Sequence, residues 1–152
     1  MTSLNSKWII YYHENANKKW NLNSYIKLTE IETLETFWKF FNNLPDLKNG
    51  SFYIMRNNIN PMWEDPLNKD GGSWNFFTNS KDINKYFETL TIYLLGETIC
   101  NFPEEINGIS ITAKKVNFSV KIWNKNHKLV NKIKFNNNLN LNHLNYKTFN
   151  IK

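Results

Sequence analysis

The feature that most constrains the fold is a series of short segments in which apolar and polar residues alternate. Alternation with period two is typical of half-buried β-strands. The predicted strands are 7–14, 24–31, 51–55, 73–77, 108–115, 118–123 and 144–151. The predicted helices are 33–44, 81–97 and a short basic segment, 127–135. Because strands outnumber helices and follow one another closely, we predict an α+β fold with helices on one face of an antiparallel, largely meander-connected sheet.

Several residues mark where these elements begin and end. Thr33 is the predicted N-cap of the first helix, and Pro45 marks its end. Gly96 marks the end of the second helix. Val116 and Asn117 are predicted to form the turn of a hairpin between two late strands.

Length and cysteine content set the domain count and the compartment. The chain has 152 residues with no internal repeat and no linker, so we predict one domain over residues 1–152. Cys100 is the only cysteine, which excludes an internal disulfide and a zinc site of cysteines. No apolar run has the length of a signal peptide or a membrane span. We therefore expect a cytoplasmic monomer without a membrane partner.

The charge and the aromatic content favour a binding function. The formal net charge is +6, and it comes almost entirely from lysine, because Arg56 is the only arginine. A positive balance favours an anionic partner without identifying it. Lysine binds phosphate as a point charge and lacks the fork of arginine. Aromatic residues make up 16% of the chain, which is more than a core of this size requires, so we expect some at a ligand-binding surface.

Residues 58–74, "NINPMWEDPLNKDGGSW", place Trp63 directly before Glu64. An indole face attracts a flat cationic heterocycle through dispersion and cation–π interaction. A carboxylate in the plane of that ring can accept hydrogen bonds from two adjacent N–H groups, as on the edge of guanine. The alternative is that Trp63 packs in the core and Glu64 is solvated.

A second candidate for ligand contact lies on the predicted strand 118–123. Ser119, Lys121 and Trp123 fall on one face of this strand. A lysine beside an exposed tryptophan suits a nucleotide with a phosphate tail. In the alternative, Trp123 caps the sheet and Lys121 extends to water.

The first helix is apolar on more sides than a sheet can cover. One stripe includes Phe37 and Phe41, and a second pairs Leu34 with Trp38 at i and i+4. Trp38 is either a large core residue or, with Leu34, part of an exposed patch for a partner protein. The pattern alone favours neither alternative.

Catalysis is poorly supported by the sequence. Glu64 and Asp65 are adjacent, so in a strand they would point in opposite directions and could not flank one bond. His13, His127 and His143 have no metal-binding spacing. The chain also contains no nucleophile elbow and no phosphate loop.

Together, five segments resemble the eukaryotic translation initiation factor 4E family, the messenger-RNA cap-binding proteins. They are "KWIIYYHE", "TLETFW", "NINPMWEDPLNKDGGSW", "LLGE" and "KIW", in family order over roughly residues 7–123. The resemblance implies a curved antiparallel β-sheet with about three helices packed on its convex face and the cap on its concave face.

The resemblance also implies roles for individual residues. Trp63 would stack on 7-methylguanine, Glu64 would accept hydrogen bonds from the base edge, and Trp20 would be the opposing stacking face. Trp123 would contact the methyl side of the base. Trp8 and Trp74 match structural tryptophans of the family, so we assign them to the core.

The phosphate-binding residues depart from the family pattern. Ser73 and Ser119 stand where the family has basic residues, whereas Lys114 matches a family arginine and Lys121 could compensate for Ser119. We therefore expect an all-lysine triphosphate site whose binding is weaker or more salt-sensitive than in a typical family member. The loop that leads to Trp20 also differs in length from the family pattern.

The partner surface follows from the same resemblance. Leu34 and Trp38 match the dorsal patch that receives the scaffold factor 4G and the repressors that compete with it, and the resemblance makes the exposed-patch alternative the favoured one. Glu88 stands on the second helix where the family usually has a leucine, and Ile92 follows one turn later. We assign these four residues to partner binding.

The resulting prediction is a protein without catalytic activity or cofactor that binds the 7-methylguanosine 5′ cap of messenger RNA to promote translation initiation. Two alternatives stay open. One is a cap-binding repressor or decoy that cannot recruit the scaffold, which Glu88 motivates. The other is an interaction protein that has kept the fold but lost the ability to bind the cap, and the altered Trp20 loop motivates it.

Overall fold

A computed structural model describes residues 2–79 and 81–149 and contains one seven-stranded antiparallel sheet. The strands are β1 (Ser3–Glu14), β2 (Ile26–Thr33), β3 (Gly50–Arg56), β4 (Gly72–Asn79), β5 (Ile106–Ala113), β6 (Asn117–Asn124) and β7 (Asn145–Thr148). All seven predicted strands are therefore confirmed, with altered ends. Residues 150–151 of the last predicted strand lie outside the described residues.

The order of the strands in the sheet is β2-β1-β3-β5-β6-β4-β7. Only β1/β2 and β5/β6 are both neighbours in the sheet and consecutive in the chain, so the predicted meander connectivity is wrong. The physical reason is that helical connections carry the chain past its nearest strand. One helix leads from β2 to β3, on the other side of β1, and another leads from β4 back to β5.

The two α-helices are α1 (Leu34–Asn42) and α2 (Ile83–Leu95). The predicted cap is present, because the Thr33 side chain accepts a hydrogen bond from the Thr36 amide at 3.2 Å. Gly96 follows α2, and its amide donates to the Ile92 carbonyl at 2.9 Å.

The predicted basic helix 127–135 is only partly confirmed. It is a 3₁₀ helix, His127–Lys132, that begins at the side-chain cap of Asn126. Val130 from this segment packs against the same core as α1 and α2. The curved sheet is thus covered on one face by three helical segments, two of them α-helical.

The core lies between the sheet and these helical segments. Trp8 and Trp74, predicted to be structural, are buried there together with Ile54. From the helices, Phe37 and Phe87 fill the same cluster. Neither α-helix of the described chain has the length and hydropathy of a membrane-spanning segment.

The only arginine belongs to the structural framework. The Arg56 guanidinium lies 4.4 Å from the centre of the Trp8 ring and donates to the Ile106 carbonyl at 2.9 Å. It also donates to Glu97 Oε1 at 3.0 Å. Its charge and its N–H donors are therefore satisfied by contacts within the protein at the end of β3.

Candidate functional site

A cleft of about 690 Å³ opens on the sheet face opposite the helices. Its lining includes all six residues predicted to bind the cap, which are Trp20, Trp63, Glu64, Lys114, Lys121 and Trp123. These residues come from two loops, the β5–β6 hairpin and strand β6, so the fold brings distant parts of the chain together. Their roles stay predictions.

The loop between β3 and β4 presents Trp63 and Glu64 to solvent, with Trp63 47% exposed. The alternative in which Trp63 is a core residue is therefore wrong. Asp65 is buried, and its Oδ2 accepts from the Asn60 amide at 2.8 Å. Its Oδ1 accepts from the Leu67 amide at 2.9 Å. The two adjacent carboxylates thus differ, because one folds the loop and the other remains available to a ligand.

Asn68 holds the same loop from behind and was not identified from the sequence. Its buried side-chain amide donates to the carbonyls of Asn60 and Met62 at 3.0 and 2.8 Å. Its Oδ1 accepts from Asn107 Nδ2 at 2.9 Å, which ties the loop to β5. Since Met62 immediately precedes Trp63, these bonds fix the backbone that carries the indole. An asparagine at this spacing from Trp63 is a weak sequence signal, because asparagine is abundant throughout this chain.

Trp20 lies on the loop between β1 and β2 and is 55% exposed. Its ring stacks on His13 with the ring centres 3.7 Å apart and the planes inclined by 2°. His13 is fully buried, and its Nε2 donates to the Lys19 carbonyl at 2.8 Å. One indole face is therefore supported by an anchored imidazole, and the exposed remainder of Trp20 lines the cleft. This role of His13 was not predicted from the sequence, because no local pattern pairs it with Trp20.

Trp123 lines the cleft but is only 6% exposed, so the expectation of an exposed tryptophan is wrong. Its Nε1 donates to Ser110 Oγ at 3.0 Å. Phe149, directly after β7, packs against it with the ring centres 5.0 Å apart, and Tyr53 of β3 meets it edge-on at 6.2 Å. A strand alternation reveals the face on which a residue lies, but it does not reveal a ring that arrives from another strand.

Lysines supply the positive charge of the cleft. Lys114 and Lys121 line it, together with Lys18, which the sequence analysis did not assign. The pKa of Lys121 lies below its ordinary value because of partial burial and the nearby positive charges of Lys114 and Lys147. A lysine whose neighbours are cationic gains most when an anion binds beside it.

The two serines at family basic positions do not line the cleft. Ser73 is buried, and its hydroxyl donates to Asn75 Oδ1 at 3.3 Å. Ser119 is also buried. The cationic side chains that line the cleft are therefore lysines, and their role in phosphate binding stays a prediction.

On the opposite side of the molecule, a groove of about 240 Å³ lies between α1 and α2. Leu34, Trp38 and Ile92 line it and are each about two-fifths exposed. Trp38 meets the buried ring of Phe37 edge-on, with the ring centres 4.8 Å apart. The exposed-patch alternative thus agrees with the structure, and partner binding stays a prediction.

Glu88 lies one helical turn before Ile92, so both project from the same side of α2. It is partly buried and lies 3.6 Å from Lys85 rather than in the lining of the groove. Glu88 is therefore not part of the lining of the groove, and its role in partner binding stays a prediction.

The fold and the cleft define an α+β binding module whose cleft is lined by two exposed indoles, an exposed carboxylate and lysines. A sequence profile described as Eukaryotic initiation factor 4E matches residues 3–151. The chain belongs to the eukaryotic initiation factor 4E family.

Relatives and solved structures agree with this assignment. The chain is similar to initiation factor 4E of Saccharomyces cerevisiae, with 30% identity over 131 residues, or 80% of this chain and 61% of the relative. The Candida albicans factor is 31% identical over 133 residues, or 80% of this chain and 64% of the relative. The chain thus spans somewhat less than two thirds of the length of these relatives.

Two solved structures share the fold. The C. elegans eIF4E-3 chain, in complex with the 4E-binding protein Mextli and a cap analog, superimposes with a TM-score of 0.84 at 20% identity, covering 97% of this chain and 92% of that one. Ascaris suum eIF4E-3 with the m2,2,7G cap gives a TM-score of 0.77 at 22% identity, covering 86% and 77%. At these identities the likeness establishes the architecture of the chain.

Proposed function

We propose that this chain is a cytoplasmic, non-catalytic factor that binds the 7-methylguanosine cap of messenger RNA to promote translation initiation. The observation that carries the proposal is the convergence of Trp20, Trp63 and Glu64 with two lysines on one cleft. The similarity to initiation factor 4E of Saccharomyces cerevisiae supports it, as do the cap analog and the m2,2,7G cap bound to the similar C. elegans and Ascaris suum proteins.

The cleft can perform each step of this recognition. Trp63, and Trp20 on its His13 support, offer indole faces to a methylated base whose positive charge strengthens the stacking. Glu64 is exposed, and the loop hydrogen bonds are made by Asp65 instead. The Glu64 carboxylate can therefore accept hydrogen bonds from two N–H groups of guanine. Lys114 and Lys121 then neutralise the phosphates.

The experiment that tests this function compares 7-methyl-GTP affinity in Glu64→Gln and in the matched control Glu104→Gln, an exposed glutamate outside the cleft. We expect the first variant to bind roughly tenfold or more weakly, because charge-assisted hydrogen bonds are lost, and the control to bind like the wild type. Equal affinities in all three proteins would contradict base-edge recognition by Glu64.

We further propose that the groove of Leu34, Trp38 and Ile92 receives a helical segment of a 4G-like scaffold or of a competing repressor. Exposed apolar residues on two adjacent helices match the recognition of an amphipathic helix in a groove. The structure of C. elegans eIF4E-3 with the 4E-binding protein Mextli supports a protein partner.

A further inference from the structure

Phe77 is the most exposed aromatic side chain of the described residues, at 65%. It lies in β4 directly after Phe76, which is buried against the helices. Because side chains alternate along a strand, Phe77 projects from the opposite face, which is the face of the cleft. An aromatic ring exposed on a strand in this way is unexplained by the fold, since it contributes little to the core.

The position of Phe77 is continuous with the cleft. In the pairing of β4 with β6, Phe77 lies opposite Ser119, and Asn75 lies opposite Lys121, which lines the cleft. Lys121 is therefore the diagonal cross-strand neighbour of Phe77, a separation of about 7–8 Å between backbone positions. Strand β7 pairs with β4 only as far as Asn75, so it does not cover the flank of Phe77.

Positive charge extends along this face from Lys121, the diagonal neighbour of Phe77, towards the Ser73 end of β4. Lys147 lies on β7 opposite Ser73, on the same face as Lys121. Among the described residues neither Lys114, Lys121 nor Lys147 forms an ion pair. Partial burial lowers the pKa of Lys121, and the positive charges of Lys114 and Lys147 lower it further, so both of these lysines lie within electrostatic reach of Lys121.

We propose that Phe77, Lys121 and Lys147, named here the β4 strip, bind the first nucleotides of the RNA that follow the cap, with a base stacked on Phe77 and phosphates beside the two lysines. This inference rests on the proposed cap-binding function and extends its ligand from the cap to the attached single strand. Aromatic stacking combined with a lysine path is how proteins hold single-stranded nucleic acid without reading its sequence.

Single-stranded RNA fits this surface better than a protein does. The neighbours of Phe77 on this face include Asn75, Ser119 and Lys121, which are polar, so they form no contiguous apolar area with it of the kind that a protein interface buries. A chain of phosphates, by contrast, complements the uncompensated positive charge.

The test compares the affinities of 7-methyl-GTP and of a capped five-nucleotide RNA for the wild type, Phe77→Ala and the matched control Phe102→Ala. Phe102 is an exposed phenylalanine that does not line the cleft. We expect the wild type to bind the capped RNA more tightly than 7-methyl-GTP. Phe77→Ala should lose about fivefold or more of the RNA affinity with unchanged 7-methyl-GTP affinity, and Phe102→Ala should change neither.

A second comparison tests the lysine path. In Lys147→Ala, the slope of log affinity against log salt for the capped RNA should fall by about 0.7, the single-strand value for one phosphate contact. The control Lys39→Ala, on α1, should keep the wild-type slope. An unchanged slope in Lys147→Ala would show that Lys147 makes no phosphate contact with the RNA, which contradicts its place in the β4 strip.

The outcomes separate the strip from the cap site. If the wild type binds 7-methyl-GTP and capped RNA equally, or if Phe77→Ala binds capped RNA like the wild type, the strip is overturned and the cap proposal stands. If 7-methyl-GTP does not bind, the cap proposal fails. An uncapped RNA of the same sequence then tests the strip, and equal binding by the wild type and Phe77→Ala overturns it as well.

Discussion

The two faces of the sheet differ in how much apolar surface they bury. On the helix face, α1 and α2 bury an almost entirely apolar cluster that includes Trp8 and Phe87. On the cleft face, the buried apolar cluster of the described residues has only four members, and polar contacts such as the hydrogen bond from Trp123 to Ser110 lie among its aromatic rings. The difference teaches that one face holds the fold together while the other can keep indoles exposed without unfolding the chain.

The largest difference in stability between the two faces is expected from a substitution that leaves a cavity on the helix face. Phe87→Ala should lower the free energy of unfolding by about 3–5 kcal/mol, because Phe87 is 1% exposed and contacts Phe41 and Phe52. Phe77→Ala, on the cleft face, is the matched control and should change it by less than about 0.5 kcal/mol. Chemical denaturation measures both.

If Phe87→Ala is too unstable to purify, Phe87→Leu offers a smaller loss at the same position. Folded protein of either variant should retain the wild-type affinity for 7-methyl-GTP. A Phe77 variant as destabilised as the Phe87 variant would contradict the division between the two faces.

A second prediction separates the two binding surfaces. Trp38→Ala should weaken binding of a scaffold-type peptide with the pattern "YxxxxL" by about thirtyfold, the effect of removing one central aromatic from an interface. The affinity for 7-methyl-GTP should not change, because Trp38 lies on the helix side and does not line the cleft. Isothermal titration of each ligand measures the two effects.

Trp20→Ala is the converse control, since it removes an indole from the cleft and leaves the groove intact. It should keep the peptide affinity and lose cap affinity. Loss of both activities in either variant would mean that the two surfaces are not independent.

A smaller effect is expected from the support of the β3–β4 loop. Asn68→Ala removes the donors to the Asn60 and Met62 carbonyls and should weaken 7-methyl-GTP binding by roughly tenfold, since the loop backbone before Trp63 loses its bonds. Asn138→Ala, at an exposed asparagine away from the cleft, is the control. Unchanged affinity in Asn68→Ala would show that the loop is positioned by other contacts.

Much of the fold could be predicted from the sequence because local patterns determine it. The alternation of apolar residues predicted every strand, and Thr33 and Gly96 mark helix ends by their own hydrogen bonds. Strand pairing could not be predicted in the same way. It depends on where each helix returns the chain, and nothing local distinguishes a hairpin from a crossing over β1 or β6.

The candidate site shows the same division. The motif around Trp63 and Glu64 identified the residues that face the ligand, because their chemistry is visible in the residue types. The residues that support them, His13 and Asn68, could not be predicted. Their roles arise from contacts across the chain that only the folded structure reveals.

The most direct test of the central claim is the quenching of intrinsic tryptophan fluorescence by 7-methyl-GTP and, in parallel, by GTP, at fixed moderate salt. The wild type is compared with Trp63→Ala, which removes one exposed indole of the cleft. We expect strong, saturable quenching of the wild type by the methylated nucleotide, weak quenching by GTP, and loss of the difference in the variant. Equal and weak responses of the wild type to both nucleotides would contradict the account, because the indoles would then not recognise a cationic base.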